Sequence, residues 1–311
     1  MLLAFVADIH GNDLALQLVE DDMRVFLTEL QRPQFGKVWV LGDIVGYMPW
    51  SLAVLDRVRA WQGERALTTE LELLLGNHEA YLFDIFRDEV NAAVMPAIEL
   101  ARNELANRPD LEAWLRSAVQ CPDVRDQEWT YRRWFRRGDT GLALCHGTMQ
   151  PRHAMDYHWP LDEKQPWTTD LRRRSVERDW DVARGELGDC PRCIVLCGHT
   201  HLLFGWQQTG LTSPTEGFAM PEANGRPAIL DREGSYLFCV GSVGAPRNAT
   251  PSDFRREATY IAMELGQGAP RLYVRQVHYD KLAFTRSLTK RLSKAGYETA
   301  QINSLFAELR L

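Results

Sequence analysis

The chain has 311 residues, 45% hydrophobic and 25% charged, enough to bury a full core and to form one large domain or two modest ones. Its net charge of −6 gives no overall attraction to nucleic acid or an anionic membrane, so a phosphate-bearing substrate must be met by local positive charge. No apolar run approaches the roughly 20 residues that span a bilayer, the N-terminus reaches Asp8 before a secretory apolar region is complete, and the expectation is a cytoplasmic protein.

Taken in order, residues 2–6 read as a buried strand that stops at Asp8-Ile9-His10-Gly11-Asn12. Over 13–30, Leu14, Leu18, Phe26 and Leu30 recur at near-helical spacing and predict an amphipathic helix, closed by Arg32-Pro33. A strand over 37–41 stops at Gly42-Asp43, a second helix covers 50–61, and a strand over 71–75 stops at Gly76-Asn77-His78-Glu79. Strand, helix, strand at this spacing implies parallel strands with right-handed crossovers, hence an α/β sheet whose ligand groups gather at the carboxyl ends of the strands.

Residues 79–119 are helical in pattern, with breaks at Pro96 and Pro109. A strand over 142–145 stops at His146-Gly147. Residues 149–192, with Pro151, Pro160, Pro166 and several aromatics, read as an insertion or cap over the active site, helical over about 169–184; the whole of 1–311 is taken as one domain carrying it. The strand over 194–197 ends at Gly198-His199-Thr200-His201. After His201 come short β-like segments at 202–206, 227–230, 236–241, 260–264 and 271–279, expected to form mostly a second sheet, then helices over 281–292 and 299–311.

Five apolar runs thus end at residues that can ligate metal or move protons. His199 and His201, at i and i+2, would point to one side in extended geometry, and neutral imidazoles so placed suit a metal. Any one of His10, His146, His199 and His201 could be a satisfied core histidine; together with Asp8, Asp43 and Asn77 at strand ends they point to a metal centre. Other features carry less. Cys145, Cys197 and Cys239 sit in apolar runs as reduced buried thiols, and Cys190-Pro191-Arg192-Cys193 lacks the second pair a structural zinc needs. Gly241-Ser242-Val243-Gly244 could offer N–H groups to a phosphate or be an ordinary turn. Arg247 could reach a substrate oxygen or sit in a surface ion pair. His153, His158 and His278 are read as structural or exposed, and Arg172-Arg173-Arg174 as a solvated helix face more than a nucleic-acid patch.

The order Asp-x-His, Gly-Asp, Gly-Asn-His-Glu, His-Gly, Gly-His-x-His resembles the calcineurin-like metallophosphoesterase superfamily. Asp8 to Asn12, Gly42 to Tyr47 and Gly241 to Arg247 look like its small bacterial and archaeal YfcE-like phosphodiesterase/phosphatase branch. The resemblance implies a four-layer αββα sandwich with a dinuclear metal centre at the strand ends. It assigns one ion to Asp8, His10, Asp43 and His201, the other to Asp43, Asn77, His146 and His199, and makes His78 the general acid for the leaving alkoxide.

Chemistry agrees: two divalent ions about 3.5–4 Å apart bridge and acidify a water that attacks the phosphoester. The nitrogen and oxygen donor set suits Mn²⁺, the first expectation, with Fe, Zn, Co or Mg as alternatives. The expected partner is a small phosphate ester, monoester or diester; nothing in the sequence speaks to oligomeric state. Gly46-Tyr47 stand where the Ser/Thr protein phosphatases carry Asp-Arg, which argues against phosphoproteins and against a diadenosine tetraphosphatase. The alternative class is a silent binding or scaffold protein on the same fold.

Overall fold

The computed structural model describes residues 1–63, 66–85, 94–119, 132–150, 156–160, 166–210, 213–246, 255–294 and 296–308. In chain order the first elements are β1 (Leu2–Val6), α1 (Asp13–Glu29), β2 (Phe35–Val40), α2 (Ser51–Ala60), β3 (Thr68–Leu73), α3 (Asn77–Leu82), α4 (Met95–Leu105) and α5 (Pro109–Ala118). Next come β4 (Arg133–Arg137), β5 (Thr140–Leu144), α6 (Pro166–Leu187), β6 (Arg192–Cys197), β7 (Leu203–Gln208) and β8 (Glu216–Phe218). The chain continues through β9 (Ala228–Ile229), β10 (Gly234–Val240), β11 (Arg255–Glu264), β12 (Arg271–Asp280), α7 (Lys281–Lys294) and α8 (Thr299–Glu308).

Side chains alternate along a strand, so a strand buried on both faces reads as a continuous apolar run that feeds two cores. In β1, Leu2, Ala4 and Val6 enter one core, while Leu3 and Phe5 enter another. Likewise Ile194 and Leu196 of β6 face the second core, whereas Cys193, Val195 and Cys197 face a third. The first core joins one sheet to α1, α2, α4, α5, α7 and α8; the second lies between the two sheets; the third joins the other sheet to α6. These three cores define the four layers of an αββα sandwich.

The first sheet has the order β3-β2-β1-β11-β12-β9 and the second β4-β5-β6-β10-β7-β8. Strands β1, β2 and β3 are parallel to one another, as are β5, β6 and β10. The strands after His201 do not form one sheet. Strands β7, β8 and β10 join the second, but β11 pairs antiparallel with β1, with Phe5 opposite Ile261, and carries β12 and β9 into the first. Pro96 and Pro109 start helices instead of interrupting one: each occupies the first turn, where a missing N–H costs nothing.

The 149–192 stretch divides. Helix α6 puts Val176, Trp180, Ala183 and Leu187 into the third core beside Met149 and Val195, so it is an outer layer of the sandwich. Ahead of it, Tyr157 reaches the strand-end face. No described helix is long and apolar enough to cross a membrane.

Candidate metal centre

The carboxyl ends of β1, β2, β5 and β6 and the start of α3 meet on one face of the sandwich. The chain leaves the strands there in unusual backbone conformations: Asp8, His10, Asp43, Tyr47, His199 and His201 all have φ between 46° and 67°. Left-handed backbone is uncommon for side chains that carry a Cβ, and its clustering at one face marks residues held for something other than stability. This overturns the expectation that His199 and His201 are extended and aim together. Each has left-handed backbone, and they join different groups of donors.

One group is Asp8, His10, Asp43 and His201, the other Asp43, His146 and His199; in each, one donor atom per residue lies within 4.8 Å of the rest, and every residue is buried. His10 Nε2 and His201 Nε2 approach to 2.9 Å, with Asp8 Oδ1 3.5 Å from His201 Nε2 and Asp43 Oδ2 3.8 Å from His10 Nε2. Across Asp43, His146 Nε2 is 3.4 Å from Oδ1 and 3.1 Å from Asn77 Oδ1. His146 Nδ1 donates to the Leu41 carbonyl at 2.7 Å, which leaves Nε2 to point a lone pair into the site in the neutral ring.

Imidazole nitrogens packed against each other and against buried carboxylates, with no thiolate, are the donor set that a hard or borderline divalent cation takes. The electrostatics fit such a cation. Burial and the neighbouring His78 and His201 hold His10 well below the usual imidazole range. Burial would raise Asp43, but His146 and His78 outweigh it and hold the carboxyl well below its ordinary value. Burial also opposes charge on His146, yet Asp43 lifts it to about 9, a proton that a cation at the same nitrogen would displace.

His78, at the first turn of α3, is buried and directs Nδ1 to the Val45 carbonyl at 3.0 Å; its Nε2 lies 3.9 Å from Asp43 Oδ2. Gly46 has φ +91°, and a Cβ there would collide with the His78 ring. Tyr47 packs edge-on against His10 and at a tilt against His78, with ring centroids at 4.6 and 4.9 Å.

Two supports escaped the sequence reading. Glu79 accepts four backbone N–H groups, from Asp43, Ile44, Val45 and Gly76, at 2.7–3.0 Å, and so ties the Gly42-Asp43 turn to the start of α3. Burial and the Asp43 charge push Glu79 up to about 7 despite those donors. Its one sequence signal was a Glu three residues after the position preceding the helix, where a side chain reaches back to the chain entering it. The second support is the 241–246 turn. Four of its N–H groups are already used: Val243 donates to Ala7 O, Gly244 to Asp8 O, Ser242 to Thr259 Oγ1 and Ala245 to Ser242 Oγ. That leaves Ser242, Val243 and Gly244 no N–H for a phosphate and makes the turn a brace for Asp8.

Arg247 and His153 lie outside the described residues. His278 is half-exposed beside Glu257, and Arg172 donates to the Pro160 carbonyl. His158 is buried with Nε2 2.8 Å from Asp179 Oδ2 on α6. Cys190 and Cys193 are free thiols, and Cys193 packs in the third core.

The family profile of the calcineurin-like phosphoesterases matches residues 1–203, which carry every donor named above. The chain belongs to that family. The calcineurin-like chain is also similar to a symmetrical bis(5′-nucleosyl)-tetraphosphatase of Klebsiella pneumoniae (strain 342), 24% identical over 170 residues that cover 53% of this chain and 48% of the relative. A protein of the same description from Glaesserella parasuis serovar 5 (strain SH0165) is 33% identical over 114 residues, 36% of each. The chain thus matches about half or less of the length of these relatives. Among solved structures, a metallophosphoesterase from Sphaerobacter thermophilus is 21% identical, with 98% of both chains covered and a TM-score of 0.58. A hypothetical protein from Pyrococcus horikoshii OT3 is 14% identical, with 98% and 97% covered and a TM-score of 0.64. Both show the same fold.

Proposed function

We propose that the chain is a metal-dependent phosphoric ester hydrolase with a dinuclear centre. Asp8, His10, Asp43 and His201 would hold one divalent ion, and Asp43, Asn77, His146 and His199 the other. The observation that carries this reading is that Asp43 belongs to both groups of donors. Ions held there supply dense positive charge and a water acidified to react near neutral pH.

The chain does the rest. Glu79 fixes the Asp43 turn, and the 241–246 turn fixes Asp8. The Val45 carbonyl orients the His78 ring so that Nε2 faces the Asp43 side, where a proton on that atom would pass to the leaving alkoxide. The likeness to tetraphosphatases supports a substrate with phosphoric ester or anhydride bonds and favours a nucleotide among the small phosphate esters, although Tyr47 stands where an arginine is expected for that class.

Hydrolysis of p-nitrophenyl phosphate and bis-p-nitrophenyl phosphate, with and without Mn²⁺, tests the proposal. Turnover of at least one ester is expected only with metal, and Asp43→Asn should remove most of it while the fold persists. Absence of turnover of both esters after metal loading would turn the reading toward a silent binding protein.

A further inference from the structure

Two of the few large apolar side chains on the described surface sit together, and one of them touches the donor cluster. Tyr157 and Trp159 are 43% and 41% exposed, with ring centroids 5.7 Å apart. One face of Tyr157 stacks on His199 at 4.2 Å and 15°, so the aromatic surface begins at the donor groups themselves.

Their positions are built. Between them His158 points inward and is buried against Asp179, a carboxylate that also accepts the Met149 N–H at 2.8 Å and Gln150 Nε2 at 3.2 Å. The Trp159 carbonyl accepts from Trp206 Nε1 at 3.0 Å, and the Pro160 carbonyl accepts from Arg172 at 2.7 Å. His158 is thus turned in, while the rings on either side of it are turned out. Ordering these rings before a ligand arrives removes much of the entropy cost of binding to them.

We infer that Tyr157 and Trp159 form a platform for a flat aromatic group attached to the phosphoryl group, a nucleobase or a simple aryl ring. The inference rests on the phosphoester hydrolase reading, since that reading places the phosphoryl group beside His199. A flat π-face packs on such rings whatever its edge pattern, so the platform selects aromatic over aliphatic esters and discriminates weakly among bases.

Phosphonates test this by binding alone, because their carbon–phosphorus bond resists hydrolysis. Calorimetry on the Mn²⁺-loaded full chain would compare phenylphosphonate with methylphosphonate, and the 5′-methylenephosphonate of adenosine with that of ribose. Each aromatic member should bind about 10-fold more tightly than its aliphatic partner, the gain expected of one stacked ring. Trp159→Leu should bring both ratios to within about twofold, and Trp159→Phe should restore them. A gain with adenosine alone would identify the nucleobase as the group recognised, and equal gains the aromatic ring in general. Equal affinities within each wild-type pair, or a ratio that survives Trp159→Leu, overturn the platform while leaving the hydrolase reading in place. Failure of methylphosphonate and inorganic phosphate to bind at all contradicts both.

Discussion

His78 touches the donor cluster through Asp43, and its ring nitrogen Nδ1 is already committed to a carbonyl, so its removal separates proton transfer from metal holding. His78→Ala should keep two metals per chain by elemental analysis yet lose roughly 10²–10⁴-fold in rate on esters with poor leaving groups. Nitrophenyl esters, whose leaving group is stable as an anion, should lose less. Falling metal content, or one rate loss for all leaving groups, would take the acid role from His78. Glu79→Gln tests the brace. The amide keeps one accepting oxygen and turns its NH₂ toward the two buried N–H groups that the other oxygen served, so stability should fall by roughly 2–6 kcal/mol in urea denaturation. An unchanged midpoint would mean that the Asp43 turn holds itself. Asp8, Asp43, Asn77 and the histidines were legible in the sequence because their side chains are the chemistry. Glu79, Ser242 and Thr259 were not, because they act on backbone N–H groups, which every residue carries and no sequence displays.

Among the elements, α6 decides whether residues 149–192 form a detachable cap. Trp180 is fully buried between α6 and the second sheet. Trp180→Ala should therefore cost about 3–5 kcal/mol of unfolding free energy, the range for deleting a large core aromatic. A change under about 0.5 kcal/mol, typical of surface positions, would instead favour a cap over the active site. The helix itself was legible, but not its place: acidic and basic residues surround its apolar stripe, and periodicity shows that a face is buried without showing against what. The same limit explains the sheets. Strands β1, β2, β5 and β6 were readable as apolar runs with abrupt polar ends, yet β10 and the second half of β11 also carry apolar runs. Nothing local in β11 shows that Ile261 lies opposite Phe5 and not beside β10. Hydrogen-bond partners 250 or so residues apart are set by the closing of three cores at once.

Across the whole molecule, the donor cluster joins the two sheets. Asp8, His10 and Asp43 leave the first, Asn77 follows its edge strand, and His146, His199 and His201 leave the second. Ions bound between them would therefore act as cross-links of the native state. At 100 times its dissociation constant, an ion that binds only the folded chain adds about 2.7 kcal/mol, so chelation should lower the unfolding temperature and Mn²⁺ should restore it. No change on chelation would mean that the cluster is closed by its own hydrogen bonds. The most direct measurement is anomalous diffraction at the manganese edge from crystals soaked in Mn²⁺. Two peaks about 3.5–4 Å apart are expected on either side of the Asp43 carboxylate, one against His10 and His201 and the other against His146 and His199. A single peak, or peaks that leave Asp43 out of contact with either ion, would contradict a dinuclear centre bridged by Asp43.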